Sequence, residues 1–291
     1  MTIIDFSGIS VASIFVQHGR EELSENMMRH MILNSISFYN RKFKQSHGDI
    51  VLACDHGSWR KEVFEFYKAN RKKGRELSPI DWVEVYGWLD NIKSEIDQYS
   101  PFTVVDVPRA EADDVIAVLV KGTQEFGCHE PVMIVSADKD FLQLQRYSNV
   151  SQYSNLLKKK LVEKDPRRYL FEHIVKGDTG DGVPNIFSDD DVLVTEGKRQ
   201  TPVSKKKLEA LYHSFLNDED TAFEKDVHRR NFDRNQTVID LNFLPRDIVE
   251  AIRTEFEAKS KVGKPVNKNA FLNYLIKKRC NTMIEKLPEF F

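Results

Sequence analysis

Four short apolar runs, rich in β-branched residues and bounded by polar or turn residues, punctuate the first half of the chain: TIIDF at 2–6, DIVLACD at 49–55, FTVVDV at 102–107 and PVMIVSAD at 131–138. Runs this short and apolar predict buried parallel strands. Between them the apolar positions take helical spacing. Met27, Met28, Met31, Ile32, Ile36 and Phe43 mark a helix over 24–44. Trp82, Val85, Leu89, Ile92 and Ile96 mark another over 80–98, and Val115, Ile116, Leu119 and Val120 a third over 112–126. Strands alternating with helices predict an α/β fold, a mostly parallel central sheet with helices on both faces. Beyond about residue 164 the strand signal fades, and helices are expected at 165–176, 204–216, 219–235, 245–257 and 268–280. The polar, Asp- and Thr-rich stretch between 184 and 203 reads as an exposed, mobile connector.

The chain has 291 residues, 41% hydrophobic and 30% charged, enough for a substantial core and one or two domains. It contains no apolar run long enough for a membrane span and no secretory leader pattern. Cys54, Cys128 and Cys280 are too scattered for a metal pair or disulfide framework, which fits a reducing intracellular setting. The net charge of −2 hides an uneven distribution. Basic residues bunch at 59–75, 157–168 and 198–207, while acids bunch elsewhere. Separated blocks suit a protein that binds a polyanion and also holds cations.

The acids fall at strand ends. Asp5 closes the first strand and Asp55 the second; Glu111, Asp113 and Asp114 follow the third; Asp138 closes the fourth, with Asp140 two residues on. Each alone reads as an ordinary helix cap or turn former. Together they converge on the carboxyl edge of a parallel sheet, where ligands bind in such folds. Four strands ending in acid repel one another. Shared protons relieve part of this, and divalent ions relieve it better. Oxygen-only ligands suit Mg²⁺ or Mn²⁺, and the absence of His and Cys from these motifs disfavours zinc. Asp178 and Asp181 flank a Gly-rich turn in KGDTGDGVPN and add two more carboxylates.

Paired divalent ions are a recurrent device for phosphodiester hydrolysis. No P-loop signature and no Ser–His or Cys–His nucleophile arrangement competes with that chemistry. The basic run FYKANRKKGR then has a role. Lys68 and Arg71 share a helical face and can contact phosphate, joined by Lys72, Lys73 and Arg75, while Phe66 and Tyr67 can stack on a base.

The segments IIDFSGI, RHMILNSI, VLACDHGSWRKEVFEFYKANRKKGRE, EADDVIAVLVK, VSADKDFLQL and KGDTGDGVPN occur in that order over nearly the whole chain. With them the chain resembles the 5′-nuclease superfamily: flap endonucleases, the 5′-nuclease domains of bacterial polymerases and phage 5′→3′ exonucleases. Within it, the resemblance is strongest to the ribonuclease H group of T-even-type bacteriophages. It implies a PIN-like core over 1–175 with a basic arch at about 59–80, and a helical duplex-binding portion over 176–291. It implies a first metal site of Asp5, Asp55, Glu111 and Asp113 with Asp114 beside them, and a second of Asp138, Asp140, Asp178 and Asp181. Two Mg²⁺ or Mn²⁺ ions would occupy them, and Lys68 and Arg71 would be the basic pair above the site. The implied catalytic set is Asp5, Asp55, Lys68, Arg71, Asp113, Asp138 and Asp140.

The implied activity is 5′→3′ exonuclease and flap endonuclease action on DNA and RNA–DNA duplex, removing RNA primers and adjacent DNA in lagging-strand replication. The implied substrates are branched, nicked or 5′-ended duplexes. The implied protein partners are a single-stranded DNA-binding protein and a sliding clamp, with the chain a monomer in the host cytoplasm and no membrane involved. The family's helix–three-turn–helix begins with GVPNI but is interrupted by FSDDDVLVTEGKRQTP, leaving Lys205, Lys206 and Lys207 as the phosphate-gripping residues. With the first strand this close to Met1, no partner-binding extension is expected before it. Its end, KLPEFF, is similar to clamp-docking tails through Leu287, Phe290 and Phe291. The alternatives are a non-catalytic DNA-structure-binding protein of the same fold, which would gain nothing from acids facing phosphate, and a small-substrate phosphohydrolase, which would not need the basic block.

Overall fold

The computed structural model describes residues 1–17, 23–219, 221–261 and 267–291, apart from the side chains of Phe15, Val16, Gln17, Lys72, Lys73 and Phe126. Its strands are β1 (Thr2–Asp5), β2 (Ile50–Ala53), β3 (Thr103–Val105), β4 (Val132–Val135), β5 (Val150–Ser154) and β6 (Lys159–Leu161). They form one sheet in the order β3-β2-β1-β4-β5-β6. The first five run parallel and β6 returns antiparallel. The four predicted strands stand where the apolar runs placed them. Every residue of β1, β2, β3 and β4 is buried, as strands covered on both faces require. Sequence reading missed β5 and β6, because VSQYS and KKL carry polar residues where a buried strand would carry aliphatics.

The helices are α1 (Phe6–Gln17), α2 (Glu25–His47), α3 (Arg60–Val63), α4 (Ala69–Glu76), α5 (Trp82–Tyr99), α6 (Ala112–Gly122), α7 (Pro166–Lys176), α8 (Lys205–Asn217), α9 (Asp226–Ile239), α10 (Arg246–Lys259), α11 (Lys268–Lys277) and α12 (Asn281–Glu285). Their starts follow local chemistry. Ser24, Asp81, Asp165 and Ser204 each cap a helix by accepting a backbone N–H. The helix expected at 219–235 begins later, at Asp226; within that range Asp220 lies outside the described residues. No helix among the described residues is long and apolar enough to cross a membrane.

The contacts group the chain into two units. One contains Met1–Gly57, Asp81–Val162 and Arg246–Phe291; the other contains Ser58–Ile80 and Glu163–Pro245. The basic stretch therefore belongs with the middle helices. Its Phe64 and Tyr67 enter their core beside Phe171, Val183, Ile186 and Phe232. Buried Arg60 donates to Val238 O at 2.8 Å.

Two expectations need correction. The first part of the stretch 184–203, residues 184–192, is anchored within the second unit, whereas residues 194–199 are exposed as expected. Asn185, Ile186, Ser188 and Val192 are buried. The Asn231 carboxamide donates to Ile186 O at 2.9 Å and Ser188 O at 3.1 Å, and Arg230 and Arg234 pair with Asp190. The C-terminal residues are also not a free tail. Leu287–Phe290 form a 3-10 turn in the first unit, and Phe290 is fully buried against Phe102 and Phe271. Glu289 accepts from Ser37 and Arg41, each at 2.9 Å, and Lys44 donates to Phe291 O at 2.7 Å. Of the three residues expected to dock on a clamp, Leu287 and Phe291 are half-buried, and Phe290 is committed to the protein's own core and so is not free to dock.

Candidate active site

Parallel strands deliver their carboxyl ends to one rim of the first unit, and the chain then fixes the acids one by one. Asp5 is the last residue of β1, in register with Ala53 of β2. Its Oδ1 accepts the Gly8 N–H at 2.7 Å and its Oδ2 accepts the Ser136 hydroxyl at 2.9 Å. Beyond β2 the backbone stays zipped to the segment after β3. Cys54 N–H reaches Val105 O at 3.0 Å, His56 N–H reaches Ala110 O at 2.8 Å, and Arg109 N–H returns to His56 O at 2.7 Å. That pairing sets Asp55 at the start of α6, where its Oδ1 accepts the Ala112 N–H at 2.9 Å. A helix N-terminus favours a carboxylate at that point. The Ser7 hydroxyl donates to the other oxygen of Asp55.

After β4, Ser136 accepts the Asp138 N–H at 3.1 Å, and Asp138 Oδ1 accepts the Asp140 N–H at 2.9 Å. The buried Gln152 of β5 donates to Ser136 O at 3.1 Å and to Asp138 O at 2.5 Å. Ser136 is thus a hinge pin: it touches Asp5 through its hydroxyl and holds the Asp138 turn. Ser7, Gly8 and Gln152 were not singled out in the sequence. Their signal was adjacency to the acids, which carries no chemistry of its own.

The electrostatics match the crowding. Burial, and then the charge of Asp55, push the Asp5 carboxyl up to about 7, with a smaller push from Asp138. The bonds from Gly8 and Ser136 favour the ionised form and only partly offset this. Asp5, Asp55 and Asp138 are therefore brought together. Asp113 is half-buried in the first turn of α6, and Asp140 is half-buried at the start of the turn after β4.

Asp114 stands beside Asp113 in the first turn of α6. It is fully buried, and its Oδ2 accepts the Glu111 N–H at 2.9 Å in a capping box that Glu111 reciprocates. A capping acid and a metal-binding acid look alike in the string EADD. Glu111 is also buried and takes part in the same cap.

The remaining candidates lie in the second unit. Asp178 Oδ1 accepts the N–H groups of Gly180 at 2.7 Å and Asp181 at 3.1 Å. The His173 side chain, 3.3 Å away, is the main reason the Asp178 carboxyl sits below its usual range. Asp181 is engaged by Tyr67, Lys68 and Arg71. Tyr67 is only 3% exposed, so its ring has no free face for a base, and the stacking role expected of it is corrected. Arg75 is exposed in α4; the side chains of Lys72 and Lys73 lie outside the described residues. Lys205, Lys206 and Lys207 are exposed in the first turn of α8, capped by Ser204.

Residues 2–172 match the family model of the 5'-3' exonuclease N-terminal resolvase-like domain, and residues 166–290 match the model described as T4 RNase H, C terminal. The chain is 31% identical to the ribonuclease H of Enterobacteria phage T4, over 99% of this chain and 95% of that protein. It is also 31% identical to a flap endonuclease Xni of Shewanella halifaxensis, over 50% of this chain and 56% of the relative. Among solved structures, the T5 D15 protein with metal ions is similar in fold, with a TM-score of 0.64 at 15% identity, covering 89% of this chain and 98% of that one.

Proposed function

The chain belongs to the 5'-3' exonuclease family and is a nuclease acting on phosphodiester bonds, and from that premise we propose that it is a divalent-metal-dependent 5′ nuclease that removes RNA primers and adjacent DNA in lagging-strand replication. The substrates are 5′-flap DNA and nicked RNA–DNA duplex, in keeping with the names of the ribonuclease H and flap endonuclease relatives. With a phage protein as a relative over nearly the whole chain, the place of action is the host cytoplasm.

The supporting observation is the convergence of Asp5, Asp55 and Asp138 on one rim, close enough for the last two to raise the first. Their donor set is all oxygen and suits Mg²⁺ or Mn²⁺. Asp5, Asp55, Asp113 and Asp138 would hold the ion, with Asp140 behind Asp138. When bound, a divalent ion there supplies Lewis acidity for hydrolysis of the phosphodiester. Gly8 and Ser136 orient Asp5; Ser7 and the start of α6 orient Asp55. Lys68 and Arg71 meet phosphates of the substrate strand. Lys205, Lys206 and Lys207 meet duplex phosphates: cations in a first helical turn oppose the macrodipole, and an anion there offsets that cost.

The test uses a labelled 5′ flap and a nicked RNA–DNA duplex, each with Mg²⁺, Mn²⁺ or EDTA. Cleavage is expected with either ion and not with EDTA. Asp138→Asn should abolish cleavage while leaving substrate binding nearly intact, and Mn²⁺ titration counts the ions against the expected two. Undiminished cleavage in EDTA would refute the proposal.

A further inference from the structure

Within the second unit, the turn bearing Asp181 and the basic segment 66–71 are built against each other, and their contacts meet on one carboxylate. Tyr67 Oη donates to Asp181 Oδ2 at 2.9 Å, and Lys68 Nζ lies 3.5 Å from the same oxygen. The Arg71 guanidinium donates to Oδ1. The backbone repeats the pattern: Lys68 N–H donates to Asp181 O at 2.7 Å, and Arg71 Nε reaches Gly180 O at 3.4 Å. Lys68 adopts φ 57°, a left-handed conformation that a non-glycine residue keeps only where its surroundings impose it. Gly182 has φ +73°, and a Cβ there would come within 2.7 Å of Phe66 O.

A phenol, an ammonium and a guanidinium together meet the charge and hydrogen-bonding capacity of a carboxylate. Placing a divalent ion on Asp181 would cost some of these bonds and set that ion beside two cations. We propose that Asp181 is a positioning residue, not a metal ligand: it clasps Lys68 and Arg71 and so fixes the basic segment that meets substrate phosphate. The role of that segment rests on the reading of the chain as a 5′ nuclease, but the clasp can be tested without turnover.

Three readouts apply to Asp181→Asn: bound Mn²⁺ by electron paramagnetic resonance, binding of a 5′-phosphorylated single strand in EDTA, and tryptic cleavage within 68–75. The variant should bind as many Mn²⁺ equivalents as the parent. Removing one charge-assisted contact set should weaken strand binding by about tenfold and speed tryptic cleavage. Arg71→Gln should then cost clearly less in the Asp181→Asn background than alone, because the two act through one contact. A merely structural role would leave those costs additive. Tyr67→Phe, which keeps the carboxylate and should not threaten folding, should shift strand binding and proteolysis in the same direction by a smaller factor. Loss of a Mn²⁺ equivalent in Asp181→Asn overturns the proposal, as do additive costs or unchanged strand binding. If the parent itself binds no Mn²⁺, the metal reading fails, while strand binding and the double-mutant cycle still judge the clasp.

Discussion

A Cβ added to Gly8 would lie 2.5 Å from Asp5 Oδ2 and 2.9 Å from its carboxyl carbon. No side chain fits unless the Asp5 carboxylate moves, and that carboxylate is held by the Gly8 N–H itself. Gly8→Ala should therefore leave the fold intact and displace the acid, with cleavage falling by about 100-fold, the usual penalty for misplacing a reacting group by an ångström. Circular dichroism matching the parent, together with the drop in rate, would check it; full activity would show that Asp5 tolerates displacement. The acids were legible because a carboxylate ending an apolar strand is conspicuous. Ser7 and Gly8 were not, because a small residue near a strand end has many uses and only the fold shows which acid it touches. Asp114 carries a structural task that its residue type alone does not reveal: fully buried, it closes the capping box of α6.

At the scale of elements, the 3.6-residue spacing located α2, α5 and α6, and apolar runs located β1 to β4. What those elements hold at their far ends was hidden, because long-range hydrogen bonding leaves no local pattern. The C-terminal turn packs on α2, and Phe290→Ala should cost about 3 kcal/mol in urea unfolding, the scale of emptying a buried aromatic site; a negligible loss would mean that Phe290 is not held in the core. A second tie joins α2, α5 and α11. Arg29, 3% exposed, donates to Glu95 at 2.7 Å, Tyr274 donates to it at 3.0 Å, and Lys278 pairs with it. Burial pushes the Glu95 carboxyl up, but the bonds from Arg29 and Lys278 outweigh it and hold the carboxyl below its ordinary value of 4.5. A depressed acid contributes stability above its unfolded value and loses it as pH falls through its folded value. Glu95→Gln should cost about 2 kcal/mol at neutral pH, since it removes charge-assisted bonds and leaves the buried Arg29 with Glu25 as its remaining anion. The difference from the parent should shrink as pH drops below 4.5. A difference flat with pH would show that the charge of Glu95 is not what matters.

At the scale of the whole molecule, a net charge of −2 covers two opposed demands: acids gathered for a cation and bases gathered for a polyanion. The gathering of acids has a thermodynamic signature. Asp5 sits at about 7 in the folded protein against an ordinary value of 3.8, so between those values the native state holds a proton that the unfolded chain has released. Stability must then fall as pH rises through that window, and the full penalty remains above it. Asp5→Asn cannot ionise and escapes the effect. In EDTA, the parent should therefore lose stability relative to Asp5→Asn from about pH 4 to pH 7. Divalent ions reverse the sign, because they require the ionised carboxylate and bind only the folded state. With Mg²⁺ at roughly 100 times its dissociation constant, the parent should gain about 2.7 kcal/mol at pH 8, and Asp5→Asn much less. Chemical denaturation of both proteins at pH 5 and pH 8, with Mg²⁺ and with EDTA, measures all four differences. Equal pH slopes for the two proteins in EDTA would mean that Asp5 is not raised, and equal Mg²⁺ gains would mean that the ion binds elsewhere.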